Sequence, residues 1–260
     1  MKKIISIIIA TYNAEKTLKR CLSSIISQKN DQLELLIIDG GSVDRTMDIV
    51  KDVSQSIDVI ISEPDKGIYD AWNKALRLAT GEWIMFLGAD DYLLEGAIDV
   101  YWNYLKTHTW EGVDIITAQS QLIDDKGRYL RILGNPYNIN EFRCYMKISH
   151  GSTLHNNKLF KELGYFDLSF KICADYEFLL RKRLNAGYID VPTIAMQIGG
   201  MSNTIIGLWE SFQVKRYRRS IPLPLNVYYL IKGIIGYYMR KARVCLLYTS
   251  PSPRDKRQSR

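Results

Sequence analysis

Four short apolar runs, each leading into a polar cluster, set the strongest limit on what this chain can fold into. Residues 4–10 form a β-branched run that ends at Thr11-Tyr12-Asn13. Residues 33–38 end at Asp39-Gly40-Gly41-Ser42, residues 59–61 lead into Ser62-Glu63, and residues 83–87 end at Gly88-Ala89-Asp90-Asp91. Runs this short and this apolar read as strands, those at 4–10 and 33–38 buried on both faces. Between them, Leu18, Cys21, Leu22, Ile25 and Ile26 recur at helical spacing, so residues 14–28 read as an amphipathic helix. Residues 43–54 read as a second helix with Asp44 in its first turn, and 70–79 as a third, stopped at Thr80-Gly81. The alternation predicts an α/β fold: a Rossmann-like, mostly parallel sheet flanked by helices.

The second half is less regular. Residues 113–117 read as a strand, Asp124-Asp125-Lys126-Gly127 as a turn, and 175–184 as a helix through Tyr176, Leu179, Leu180 and Leu184. No repeat and no Gly/Ser-rich linker divides the chain. Cys21, Cys144, Cys173 and Cys245 are scattered, without C-x-x-C or metal-ligand spacing, which predicts reduced thiols in a cytoplasmic protein. The first residues show no leader pattern, and no run of about 18 apolar residues suggests a spanning helix.

The net charge of +7 is unevenly placed. Residues 207–244 carry Lys215, Arg216, Arg218, Arg219, Lys232, Arg240, Lys241 and Arg243 against the single acid Glu210. A basic segment with interleaved Tyr and Ile suits the surface of an anionic membrane, the inner face of the plasma membrane for a cytoplasmic protein; an ordinary solvated face is the other reading. The segment 206–244 is expected to form a short C-terminal helical appendage. The Ile221-Pro222-Leu223-Pro224 run is expected to break any long helix before the mostly apolar stretch 225–239. No nucleic-acid motif is present. Residues 245–255, Cys-Leu-Leu-Tyr-Thr-Ser-Pro-Ser-Pro-Arg-Asp, resemble the translation of a transposon-based sequencing-library adapter. Residues 245–260 are therefore expected to be a read-through tail, and are set aside in reasoning about the fold.

Ligands of open α/β sheets bind outside the carboxyl ends of the strands. A parallel sheet would bring the clusters at Thr11, Asp39 and Asp90-Asp91 to one such edge. Acids converging there repel unless a cation or hydrogen-bond donors sit among them. Asp90-Asp91, emerging from an apolar strand, suits Mg²⁺ or Mn²⁺, hard ions that take carboxylate oxygens and are often shared with substrate phosphates. The plainer use of such a pair is a helix N-cap.

Ser6-Ile7-Ile8-Ile9-Ala10-Thr11-Tyr12-Asn13 and Ile37-Ile38-Asp39-Gly40-Gly41-Ser42-Val43-Asp44-Arg45-Thr46 resemble the opening motifs of family 2 glycosyltransferases of the GT-A fold. The run from Ser62 to Lys74 resembles the branch that builds bacterial exopolysaccharides, such as colanic-acid-type transferases. The resemblance covers roughly residues 3–205, which it makes a catalytic domain: a nucleotide-sugar half of about 1–95 and an acceptor half of about 96–205. It implies that Thr11, Tyr12 and Asn13 line the nucleotide pocket, that Asp39 bonds the donor's base, and that Asp65, Lys66 and Asn73 lie along the donor site. Asp90 and Asp91 match the metal-binding acidic motif. Its usual Asp-Ala-Asp-Asp form begins here with Gly88, so which carboxylate meets the metal and which the ribose stays open. Asp175, in Ala174-Asp175-Tyr176-Glu177, falls at the catalytic-base position, with Glu177 as a second candidate. His150 falls where the branch often has His-Gln-Ser, and Gly199-Gly200-Met201-Ser202 resembles its Gly-Gly-x-Ser loop.

The implied activity is inverting transfer of a sugar from a nucleoside-diphosphate sugar (UDP-, GDP- or dTDP-linked) to a hydroxyl of a saccharide or lipid-linked saccharide. A divalent ion would offset charge growing on the leaving diphosphate, and Asp175 would take the acceptor's proton. Two rivals remain. A sugar-1-phosphate nucleotidyltransferase would carry a Gly-rich, Arg/Lys-bearing loop after the first strand, where this chain has Ala10-Thr11-Tyr12-Asn13-Ala14. A sugar-nucleotide-binding protein without turnover is opposed by intact Asp39, Asp90, Asp91 and Asp175.

Overall fold

The computed structural model describes residues 2–200 and 204–249. Its first half is the expected alternation: β1 (Ile5–Thr11), α1 (Leu18–Ile26), β2 (Leu33–Asp39), α2 (Thr46–Asp52), β3 (Val59–Ser62), α3 (Ile68–Leu76) and β4 (Trp83–Gly88). The second half adds β5 (Tyr92–Leu93), α4 (Ala97–Thr107), β6 (Ile115–Ile123), β7 (Tyr129–Leu133), α5 (Ile139–Phe142), β8 (Leu154–Asn156), α6 (Asn157–Leu163), α7 (Ala174–Leu179), β9 (Ala186–Gln197), α8 (Ile205–Tyr217) and α9 (Leu223–Thr249).

One sheet runs β3-β2-β1-β4-β8-β6-β9-β5, with β7 beside β6. It is parallel from β3 to β4 and mixed beyond. β8 runs against both β4 and β6, so β6 and its parallel partner β9 point the same way as β4. That direction brings Gln197, at the end of β9, to the edge where β1, β2 and β4 end. The register of β6 against β9 shifts near Pro192, which has no N–H to give to a ladder.

Alternation along each central strand divides the core into two layers. Ile7, Ile9, Leu35, Ile37, Met85 and Leu87 face α1, meeting Leu18, Cys21, Leu22 and Ile25. Ile8, Leu36, Ile38, Ile84 and Phe86 face the opposite layer, where Trp72 and Ala75 of α3 join Phe160 and Phe178. A polar pair interrupts the strand starts: Ser6 and Glu34 are in register, both buried, and Ser6 Oγ donates to the Glu34 carboxylate. Thr80 donates to the same carboxylate from its backbone N and its hydroxyl, each at 2.9 Å, and Gly81 N donates to Ser6 Oγ at 2.9 Å. The turn entering β4 is thereby locked to β1 and β2.

The proline run separates two C-terminal helices. α8 ends at Tyr217, and Pro222 and Pro224 stand at the start of α9, a position that asks for no proline N–H. The chain reverses just before them, with Arg219 at φ +49°. α9 then runs antiparallel to α8, its Asn226 amide donating to Phe212 O at 3.0 Å and Gly233 leaving a notch for Leu208. Of the segment 245–260, residues 250–260 lie outside the described residues.

Because a Cβ on Gly81 would stand 2.5 Å from Ser6 Oγ and 2.7 Å from Ser6 N, Gly81→Ala should force the lock apart. The expected loss is about 1–3 kcal/mol, a fall in Tm of roughly 2–12 °C in a thermal melt; an unchanged Tm would contradict this role for the lock.

Candidate functional site

Register assembles the site. Asp39 is opposite Thr11 on one side and Ser62 on the other, and Ala10 is opposite Gly88, so four strand ends stand in a row. At the centre is Asp39, 0% exposed. Its carboxylate accepts from Thr11 Oγ1 (3.0 Å), Ser62 Oγ (2.8 Å), Gly41 N (3.1 Å), Ser42 N (2.9 Å) and Ser42 Oγ. Burial alone would raise its pKa, but bonds from Ser42, Ser62 and Thr11 outweigh that and hold the carboxyl below its ordinary range. With these five donors around it, Asp39 ties the strand ends and the loop after β2 together from within.

The loops after β1 and β2 are tied together above it. Asn13 N donates to Ser42 Oγ at 2.8 Å, and Asn13 Oδ1 accepts from Val43 N at 3.0 Å, with Asn13 at φ +50°. Tyr12 stands 66% exposed beside this knot, its ring free to meet a planar ligand. Asp65 lies against Gly40, where a Cβ would come within 2.6 Å of Asp65 Oδ2, and Asp65 Oδ1 accepts from Gly67 N at 2.8 Å. Lys66 is exposed alongside. Asn73 departs from expectation. It is buried in α3, donating from Nδ2 to Phe166 O and accepting at Oδ1 from Phe166 N, both at 2.9 Å. Both ends of its amide clamp the 166 segment and face no cleft.

Asp90 and Asp91 do not cap a helix; they lead directly into β5. Their carboxylates converge on Gly88: a Cβ there would stand 2.8 Å from Asp90 Oδ1 and 2.9 Å from Asp91 Oδ2. The two acids thus occupy the space that a side chain at position 88 would need. Asp91 is buried and accepts from Gln197 N at 2.9 Å. Burial, with Asp90 beside it, pushes its pKa up to about 7. Converging hard oxygens, one of them held in a site that disfavours bare charge, fit a divalent cation. No group of three or more His, Cys, Asp and Glu side chains is poised for a metal among the described residues, so the remaining ligands would come from phosphate and water.

Asp175 stands in the first turn of α7, where its carboxylate takes Tyr176 N at 2.8 Å and Tyr69 Oη at 3.0 Å. Tyr69 Oη also contacts Ile172 O at 2.7 Å. Burial pushes the pKa of Asp175 up to about 6 against the pull of these bonds. A chain of aromatic contacts leads from here to the acidic pair. Tyr69 meets Trp72 edge-on at 5.3 Å, Trp72 stacks on His150 at 5.4 Å, and a Cβ on the next residue, Gly151, would lie 3.9 Å from Asp91 Oδ2. His150 also stacks on Phe86, and burial lowers its pKa to about 3, so it is neutral at physiological pH.

The model of the family described as "Glycosyl transferase family 2" matches residues 6–182. The chain belongs to glycosyltransferase family 2. A Mycobacterium tuberculosis protein named "PGL/p-HBAD biosynthesis glycosyltransferase" is 31% identical over 210 residues, 77% of this chain and 80% of that one. Among solved structures, S. aureus TarS 1–349 in complex with UDP-GlcNAc superposes with a TM-score of 0.67 at 18% identity, covering 89% of this chain and 71% of that one. The mannosyltransferase PcManGT from Pyrobaculum calidifontis, in complex with GDP-Man and Mn²⁺, superposes with a TM-score of 0.61 at 18% identity, covering 96% and 81%.

Within this glycosyltransferase Glu177 is not placed to act as a base. It is 0% exposed and neutralised by Arg181, at 2.6 Å, and by Arg218 from the end of α8. Three contributors escape a reading of the sequence. Arg20 of α1 donates to Asp90 O (2.9 Å) and Gln197 Oε1 (3.0 Å) and lies 4.6 Å from the Tyr92 ring centroid, yet by position it is an ordinary solvent-side arginine. Tyr69 lies inside a recognised motif without a visible partner. Glu210, the lone acid of its segment, accepts from Lys171 N and Ile172 N, so α8 braces the loop that presents Asp175. Gly199 has φ +121°, as a tight loop requires, while residues 201–203 of the Gly-Gly-x-Ser match lie outside the described residues. A cavity of about 820 Å³ beside Trp110, Asp114 and Asn156 opens at the opposite edge, where β4 and β6 begin, and holds none of these residues.

The Tyr69 bond favours ionised Asp175, so removing it should raise that pKa. If Asp175 serves as a base in its ionised form, Tyr69→Phe should move the acid limb of the kcat/KM profile from near pH 6 to higher pH by roughly 0.5–1 unit, a bond of this kind being worth about 1 kcal/mol. An unmoved or downward-shifted limb would contradict the assignment.

Proposed function

We propose that this glycosyltransferase transfers a sugar from a nucleoside-diphosphate sugar to a hydroxyl on a saccharide or lipid-linked saccharide, with inversion, in the synthesis of bacterial exopolysaccharide or another cell-surface glycan. The observation that carries the reading is the placing of Asp175, with its raised pKa, in one contact chain with the acidic pair, through Tyr69, Trp72 and His150. The TarS and PcManGT structures, with UDP-GlcNAc and with GDP-Man and Mn²⁺, support a nucleotide-sugar donor and a divalent ion.

Each group then has a task. Tyr12 stacks on the base, and the loops built on Asp39, Asn13 and Ser42 shape its pocket, with Asp65 and Lys66 along the rim. Asp90 and Asp91 would hold Mg²⁺ or Mn²⁺, which when bound offsets the charge that grows on the leaving diphosphate. Asp175 accepts the proton of the attacking hydroxyl, while Tyr69 keeps its carboxylate aimed and ionised. A pKa near 6 leaves a base that is free at neutral pH and stronger than an ordinary aspartate. The rival nucleotidyltransferase reading lacks support from the β1 loop, which is held by Asn13 and Ser42 and carries no glycine.

A screen of UDP-, GDP- and dTDP-sugars with Mn²⁺, read as released nucleoside diphosphate, tests the proposal. Turnover should vanish in excess chelator and return with Mn²⁺. Asp175→Asn should cut kcat by about 10²–10⁴-fold with little change in donor KM. Full turnover by Asp175→Asn, or in excess chelator, would sink the corresponding role.

A further inference from the structure

The outer face of α9 is covered by nothing among the described residues. Its inner face is accounted for by Asn226, which bonds Phe212 O, by Tyr229, which meets Tyr145 at 4.8 Å, and by Gly233, which receives Leu208. At 3.6 residues per turn, Val227, Tyr228, Ile231, Ile235, Tyr238 and Met239 fall on the opposite side within an arc of about 120°. All are exposed, and all but Val227 by more than half. An apolar stripe this continuous would ordinarily be buried against a core, and here the core lies behind it.

We propose that this stripe seats the protein on an anionic lipid bilayer, with α9 lying in the headgroup region. Charge selects this occupant. α9 has no acidic residue along its whole length, while Lys232 borders the stripe and Arg240, Lys241 and Arg243 follow it. Lys232 stays beside the stripe, 5.9 Å from the Tyr228 ring centroid, and Arg240 and Lys241 are exposed. Among the described residues none of these three forms an ion pair. A second copy laid on the same stripe would bring like charges together, whereas anionic headgroups neutralise them. The tyrosines place a ring in the apolar layer and a hydroxyl at its boundary, as residues at a membrane interface do. No helix among the described residues is long and apolar enough to cross a membrane, so the face lies on the surface. Through Glu210, α8 joins this surface to the loop bearing Asp175, which orients the catalytic edge relative to the lipid.

The test is sedimentation of the full chain with vesicles of phosphatidylcholine alone and of phosphatidylcholine with phosphatidylglycerol, at low and high salt. The expected result is binding at least tenfold stronger to the anionic vesicles and weakened by salt. Ile231→Asp/Ile235→Asp should lose that binding at least tenfold, and Lys232→Glu, Arg240→Glu and Lys241→Glu about fivefold or more each. Circular dichroism of each variant checks that it folds, and if the double aspartate variant does not, Ile231→Ser/Ile235→Ser takes its place. Equal partitioning to both vesicles, none to either, or undiminished binding by the folded stripe variants, which would assign binding to the basic tail, overturns the proposal. A dimer in light scattering that dissociates in the stripe variants would overturn it in favour of a second copy.

Discussion

β1 is paired in parallel on both sides, and the site depends on that pairing. Registering β1 with β2 and with β4 at once leaves no freedom in where Thr11, Asp39 and Gly88 end. Asp39 then closes the arrangement, because its one carboxylate holds donors from β1, from the end of β3 and from the loop after β2. A buried anion with five donors is far less costly than a bare one, and it stiffens the edge on which a ligand must rest. The Ser6–Glu34–Thr80 lock performs the same service at the opposite end of these strands.

Against this satisfied background, two carboxylates are left under strain. Asp91 and Asp175 are both pushed upward by burial, to about 7 and about 6. A carboxyl whose folded pKa is raised stabilises the fold relative to the ionised state only while it can hold its proton, and that contribution is lost as pH rises through the folded value. At neutral pH the fold therefore retains these charges at some cost. The cost is meaningful where charge is to be used: one carboxylate beside a partner suited to a cation, the other beside a tyrosine that favours its ionised form. Glu177 shows the contrast, since a carboxylate neutralised by two arginines serves as a fastening.

Much of the first half could be read from residue pattern alone. Buried β-branched strands and amphipathic α1 are local signals, and the strand-end clusters are where a parallel sheet places them. Helix ends were less legible: residues 14–28 shorten to Leu18–Ile26, because Thr46 Oγ1 bonds Ala14 N and Asp44 bonds Glu15 N, holding 14 and 15 in a loop. The second half hid β7, β8, β9 and α4. β9 contains Pro192 and partners only distant strands, β8 is three residues long, and neither has a local period to follow. At the site, Asp175, Asp90 and Asp91 were visible as motif residues, whereas Asn73 took a structural role that only the contact with Phe166 reveals. Arg20, Tyr69 and Glu210 act through partners 70, 106 and 38 or more residues away, a separation that no spacing rule encodes.

In the proposed mechanism the acidic pair and Asp175 serve one bound donor in two separable roles. Calorimetric titration of UDP and GDP into the protein with and without Mn²⁺ addresses it most directly, using wild type, Asp91→Asn and Asp175→Asn. One of the two nucleotides should bind in a Mn²⁺-dependent manner, Asp91→Asn should lose the Mn²⁺-dependent part, and Asp175→Asn should bind as wild type does. Mn²⁺-dependent binding undiminished in Asp91→Asn, or abolished in Asp175→Asn, would contradict the mechanism.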